Sequence, residues 1–122
     1  MLYDTTQLAL ERTIEGAAGR QAALAANLAN ANTPGYQRVD VDFHGALSAA
    51  LGERQGLERR EAVEGATFAA ATTGEGPVRM DGGTVDVDAE SARLAANALE
   101  HQAAVTIARA RIDILGAAMG VR

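Results

Sequence analysis

The strongest constraint on how this chain folds lies at its two ends, where residues recur at alternating intervals of four and three. The first series runs Tyr3, Gln7, Leu10, Ile14, Ala17, Gln21, Leu24, Leu28 and Ala31. The second runs Val87, Ser91, Leu94, Ala98, His101, Val105, Ala108, Ile112, Leu115 and Met119. A 3.5-residue period keeps one side of a helix turned toward a partner helix over many turns. The spacing therefore predicts a helix over residues 4 to 33 and another over 88 to 119. Asp4, Thr5 or Thr6 is placed to cap the first, and Asp88 the second, with Glu90 at the positive end of the dipole and Gly120 as a stop. Gly16 and Gly19, costly in a helix interior, mark a bend or a close neighbour. Periodicity leaves two readings open: helices packed within one domain, or a seam completed by another chain.

Core size bears on that choice. Alanine fills 28 of the 122 positions, aromatic residues make up only 3%, and tryptophan is absent. At roughly 25 cal/mol per Å² of apolar area, alanine surfaces bury little. A lone copy is thinly cored, and small chains resolve this by associating. The net charge of −5 and pI of about 4.9 argue against a nucleic-acid partner. With no cysteine there is no disulfide framework and no thiolate site. No apolar run approaches the ~18 residues of a membrane span. The opening "MLYDTTQLALERT" lacks the basic and apolar regions of a secretory signal. The expectation is export, if any, by a route that reads no cleaved signal.

The organisation expected is three zones: residues 1–35, a helix and its Asn-rich turn; 36–87, an extended and flexible middle; and 88–122, the second helix. The fold class is mainly α, with the terminal helices pairing as a coiled-coil-like unit. The middle holds eight of the thirteen glycines. Within it "YQRVDVDF" alternates with period two, placing Val39, Val41 and Phe43 on one side and Arg38, Asp40 and Asp42 on the other, as in a short strand. "FHGALSAAL" has room for a helical turn or two.

Little here points to chemistry. Asp40/Asp42 and Asp86/Asp88 are spaced two apart but fit no calcium-loop pattern, and read as solvated strand faces and a helix cap. His44 and His101 have no nucleophile partner. No catalytic residue, metal site, cofactor or small-molecule substrate is expected.

The stretch "LAANLANANTPGYQR" resembles the N-terminal signature of the bacterial flagellar rod and hook protein family, in which a helix ends in an Asn-rich turn followed by Thr-Pro-Gly-Tyr. "VDVDF" after it and "DGGTVDVDAE" before the last helix narrow the likeness to proximal rod subunits of the basal body. The resemblance implies a structural protein of the periplasmic rod, made in the cytoplasm, exported by the flagellar type III apparatus and assembled through its terminal helices into a tube. It implies as partners its own copies, other flagellar rod proteins, the rod–ring adaptor protein at the rod base and the flagellar export gate.

On that footing the expected subunit interface comprises Leu10, Ile14, Leu24 and Leu28 on the first helix, and Leu94, Val105, Ile112, Leu115 and Met119 on the last. The turn adds Asn27, Asn30 and Asn32, whose amides bond exposed carbonyls or a neighbouring backbone. Pro34 turns Thr33 away from the α region, Gly35 supplies a positive φ, and Tyr36 buries a ring while keeping a hydroxyl. Phe43 and Leu47 match the Phe-x-x-x-hydrophobic pattern by which early flagellar subunits are recognised at the export gate; the plain alternative is that they pack. Rival readings are another rod protein of the family and a soluble helical adaptor or chaperone-like binding module.

Overall fold

The computed structural model describes residues 4–52, 55–74 and 76–120; Tyr3 lies outside them. The element order is α1 (Thr5–Ala29), β1 (Val39–Asp40), α2 (Phe43–Leu51), α3 (Gly56–Glu64), β2 (Ala71–Thr72) and α4 (Val87–Ala118). Both terminal helices form, and α1 packs along α4. The pair is antiparallel: Arg111 of α4 bonds Asp4 at the start of α1 (2.8 Å), Asn97 bonds the Ala17 carbonyl (2.9 Å), and Glu90 meets Asn27 near the end of α1 (2.8 Å).

Aspartates start three of the helices. The Asp4 carboxylate accepts from the Gln7 amide at 2.8 Å and Asp42 from Gly45 at 2.9 Å. Asp86, rather than the expected Asp88, caps α4 by accepting from the Asp88 and Ala89 amides. Asp88 and Glu90 then fall in the first turn, where the helix dipole favours negative charge. α4 gives way at Met119 to Gly120, which adopts φ +74°.

The first four–three series is a buried stripe as expected: Gln7, Ala17, Leu24 and Ala31 are buried, and Leu10, Ile14, Gln21 and Leu28 half-buried. The second is half right. The face of α4 that meets α1 runs Glu90, Leu94, Asn97, His101, Ala104, Ala108, Arg111 and Leu115, all buried or half-buried. Leu94, His101, Ala108 and Leu115 belong to both series. The other expected track, Ser91, Ala98, Val105, Ile112 and Met119, is displaced by one position. Ile112 and Met119 are 53% and 58% exposed. The displacing residues are mostly polar and bond α1 through their side chains, so counting apolar positions passes over them.

The middle differs more. Besides the short β1–β2 pair it contains two nine-residue helices, both packed on α1, where a largely extended stretch is expected. The strand ends at Asp40, because Asp42 caps α2 and draws Phe43 into it. Val41, Phe43, Leu47, Ala50 and Val63 close a small core against Ala17 and Ala23, with Ala9, Ala66 and Phe68 at its margin. Gly16 is explained by this core: a Cβ there would lie 2.6 Å from Cβ and Cγ of Phe43, so the ring is seated directly on the α1 backbone. Gly19, by contrast, faces open space.

Candidate functional site

The Asn-rich ending of α1 builds a joint between three parts of the chain. Asn27 is wholly buried. Its amide nitrogen donates to the Val39 carbonyl (2.6 Å) and to Glu90 Oε1 (2.8 Å), and its oxygen accepts from the Val39 amide (3.0 Å) and the Tyr36 hydroxyl (3.2 Å). All four hydrogen-bonding positions of the side chain are used. Because it pairs with both backbone groups of Val39, Asn27 acts as a one-residue strand on the edge of β1 facing away from β2. β2 pairs antiparallel on the opposite side, with Val39 opposite Thr72 and Asp40 opposite Ala71.

Arg38 continues the network inward. It is 4% exposed. Its Nε donates to Glu90 Oε2 (2.7 Å), Nη1 to the Thr73 hydroxyl (3.0 Å) and Nη2 to Asp40 Oδ2 (2.8 Å). Arg20 of α1 clamps Asp40 through two nitrogens at 2.8 and 3.1 Å, and Arg93 reaches Glu90 at 3.2 Å. Burial alone would raise the Asp40 carboxyl. The hydrogen bonds from Arg20, Arg38 and the Val41 amide outweigh it and hold the group at about 2, below its ordinary 3.8. A buried charge survives only when paired and hydrogen-bonded, as Glu90 and Arg38 are. The expected solvated side of the strand is therefore an inner ion-pair cluster tying α1, β1 and α4 together. A cleft of about 630 Å³ opens beside it, lined by Arg20, Arg38 and Arg93 among others, and each of these arginines is bonded to Asp40 or Glu90.

The Thr-Pro-Gly-Tyr turn docks against the turn at residues 79–83. Asn30 caps α1, its amide donating to the Ala26 carbonyl and its oxygen accepting from the Thr33 hydroxyl. Gly35, at φ +73°, turns its amide to the Asp81 carbonyl (2.9 Å). The Thr84 amide donates to the Tyr36 carbonyl (3.2 Å), Gln37 donates to the Gly82 carbonyl, and Arg79 donates to the Ala31 carbonyl. The two motifs that carry the resemblance are thus one structural unit. Asn32, Pro34 and Gly35 remain exposed on its outside, beside the fully exposed Met80.

The structure sorts the expected interface residues. Leu24 and Asn27 are fully buried inside the subunit, and Asn27 has no hydrogen-bonding capacity left for a neighbour. Leu10, Ile14, Leu28, Leu94, Val105, Leu115, Asn30 and Tyr36 are half-buried. Asn32, Pro34, Gly35, Ile112 and Met119 are exposed. Phe43 and Leu47 are buried, with the Phe43 ring 4.0 Å from His44 and edge-on to Phe68. Sequence reasoning missed Arg20, Arg38, Asp40, Glu90 and Asn97. The one signal was the Arg38–Asp40 pair on a single side of a strand so short that it has no separate solvent face.

The pattern of the flagella basal body rod protein family matches residues 14–37, which cover the second half of α1 and the docked turn. Over longer spans the chain is similar to three proteins named flagellar basal body rod protein FlgB. The one from Salmonella typhimurium is 32% identical over 108 residues, covering 74% of this chain and 75% of that protein. The one from Yersinia enterocolitica is 34% identical, with the same coverage. The one from Proteus mirabilis is 34% identical over 118 residues, covering 82% of each.

Proposed function

The chain belongs to the FlgB family of flagellar basal body rod proteins, and from that premise we propose that it is a structural subunit of the flagellar rod whose antiparallel α1–α4 pair is the assembling element. The observation that carries this reading is the joint. It fixes α4 against α1 from within, through Asn27, Arg38 and Glu90, and leaves the outer faces of both helices uncovered. A subunit built this way presents a preformed two-helix unit to its neighbours.

The residues that serve assembly are the exposed ones. Ile112 and Met119 offer apolar side chains beyond the α1 contact, and Asn32 and Pro34 offer the outside of the docked turn. Asn27 and Leu24 serve indirectly, by holding the unit's shape. Among the described residues no helix is long and apolar enough to cross a membrane. Within this reading the partners are its own copies and other rod components, with the rod–ring adaptor at the base. Phe43 and Leu47 are the export-gate recognition pair, read on the unfolded chain before they are buried in the core.

Complementation tests the reading. The chain, expressed in a strain lacking its own proximal rod subunit, should restore swimming and rod formation. Stable expression without either outcome contradicts it. An adaptor reading predicts the chain in the cytosol as a discrete monomer or dimer.

A further inference from the structure

Helix α4 carries a second apolar face that its contact with α1 does not use. Leu99, Ile107 and Ile114 are 73%, 51% and 68% exposed, and Ala96 before them and Ala103 and Ala110 between them are exposed as well. At 3.6 residues per turn these six positions fall within an arc of about 80°, well away from the track of Glu90, Asn97, Ala104 and Ala108 that meets α1. None of the six is charged. Water-facing leucine and isoleucine at intervals of eight and seven, with only alanine between, form a continuous exposed patch rather than scattered single residues.

Helix α1 carries the opposite relief. Its exposed face from Ala18 through Ala22 and Ala25 to Ala29 is uncharged and has no side chain larger than a methyl. This face lies across the helix from Gly16, Arg20 and Ala23, which turn toward α2, α3 and β1. The α4 face opens on the other side, next to Glu100, which bonds His44 of α2. The two faces point to opposite sides of the helix pair and cannot meet within one chain.

We propose that they meet between chains: Leu99, Ile107 and Ile114 of one copy seat on the alanine face of α1 in the next. The occupant is a second copy because this chain itself carries both complementary halves, bulky knobs on one helix and a flat uncharged bed on the other. Contact of two different faces is heterologous, so each copy added presents a fresh knob face, and the contact propagates into a ring or helical array instead of closing as a two-fold dimer. The inference rests on the rod-subunit reading and specifies the direction in which its copies add.

The chain has no cysteine, which makes the test clean. Ile107→Cys and Ala22→Cys are prepared as separate full-length variants, mixed and oxidised under conditions in which light scattering records association. The expected result is a mixed Ile107→Cys/Ala22→Cys disulfide that outruns both homodisulfides and a control mixture of Ile107→Cys with Glu58→Cys. Ile107→Arg should weaken association by about 10-fold to 100-fold, the equivalent of one buried isoleucine, with helicity unchanged. Predominance of the Ile107→Cys homodisulfide, a mixed pair no faster than the control, or no association at any soluble concentration overturns the inference. Motility scores the rod-subunit reading separately. Rescue by the chain without the mixed disulfide overturns the direction of addition alone, whereas failure to rescue despite the mixed disulfide overturns the rod reading.

Discussion

Asn27 and Glu90 stand 63 residues apart in sequence and 2.8 Å apart in space, both without solvent exposure. That single bond joins the last turn of α1 to the first turn of α4. The same two side chains also reach Val39, Tyr36, Arg38 and Arg93. The alignment of the two long helices is thus fixed at one end by a polar cluster. Along their length it is fixed by small residues and by Asn97, which bonds the Ala17 carbonyl and Gln21.

Asn27→Ala should be severe for its size. It strands both backbone groups of Val39 and removes a donor from a buried carboxylate, at about 1–3 kcal/mol for each buried group left unpaired. Asn32→Ala, in the same motif but exposed, should change the free subunit by less than about 0.5 kcal/mol. Thermal melts followed by circular dichroism compare the two. Equal effects would mean that the motif acts in the fold as a diffuse turn signal and not through one amide.

Acid should weaken the joint in a defined window. The Asp40 pKa is depressed when folded, so the unfolded chain binds the proton more tightly. The stabilisation is complete above the ordinary 3.8 and is lost as pH falls toward about 2. Asp4 and Asp81 add in the same direction, each lowered first by a backbone amide, that of Gln7 and Gly83 respectively. Asp40→Asn should lower stability at neutral pH and flatten the acid limb. Denaturant melts across that window check it, and an unchanged acid slope in the variant would count against the cluster.

Much of this architecture can be read from the residues alone, and the exceptions share a cause. The α1 seam, the caps at Asp4 and Gly120, and the turn through Pro34 and Gly35 follow from periodicity and backbone preference. The rotation of α4 was hidden because Glu90, Asn97 and Arg111 hold contact positions by hydrogen bonding, whereas Ile112 and Met119 look like core residues and face water. Alternation places Arg38 and Asp40 on the solvent side, a rule that presumes a sheet wide enough to have a wet side. Helix α3 was faint because only Val63 in "GLERREAVE" is buried. Gly16 signals a bend or a close neighbour, but that the neighbour is Phe43 depends on how α2 folds back.

That contact yields its own test. Gly16→Ala forces a methyl into the Phe43 ring, and overpacking of this kind costs about 1–3 kcal/mol. In a Gly16→Ala/Phe43→Ala double variant the two losses should add to less than their sum, because the clash disappears with the ring. Strict additivity in equilibrium unfolding would show that the helix backbone yields instead.

Phe43→Ala also separates export from packing. Removing the buried ring costs about 3–5 kcal/mol in the folded subunit. A gate-recognition role predicts accumulation of the variant in the cytosol, shared by Leu47→Ala and absent from His44→Ala. A packing role alone predicts normal export followed by failure to incorporate. Cell fractionation decides between them, and wild-type levels of the Phe43→Ala chain outside the cytosol would remove the export role.

The most direct measurement of the central claim is the whereabouts of the assembled chain. Basal bodies purified from a strain in which this chain is the sole proximal rod subunit of its type should contain it in the rod, at a fixed ratio to the other rod proteins. The Asn27→Ala variant should be depleted from the same fraction. Recovery of the wild-type chain only as a soluble monomer or dimer, with rods absent or formed without it, would contradict the account.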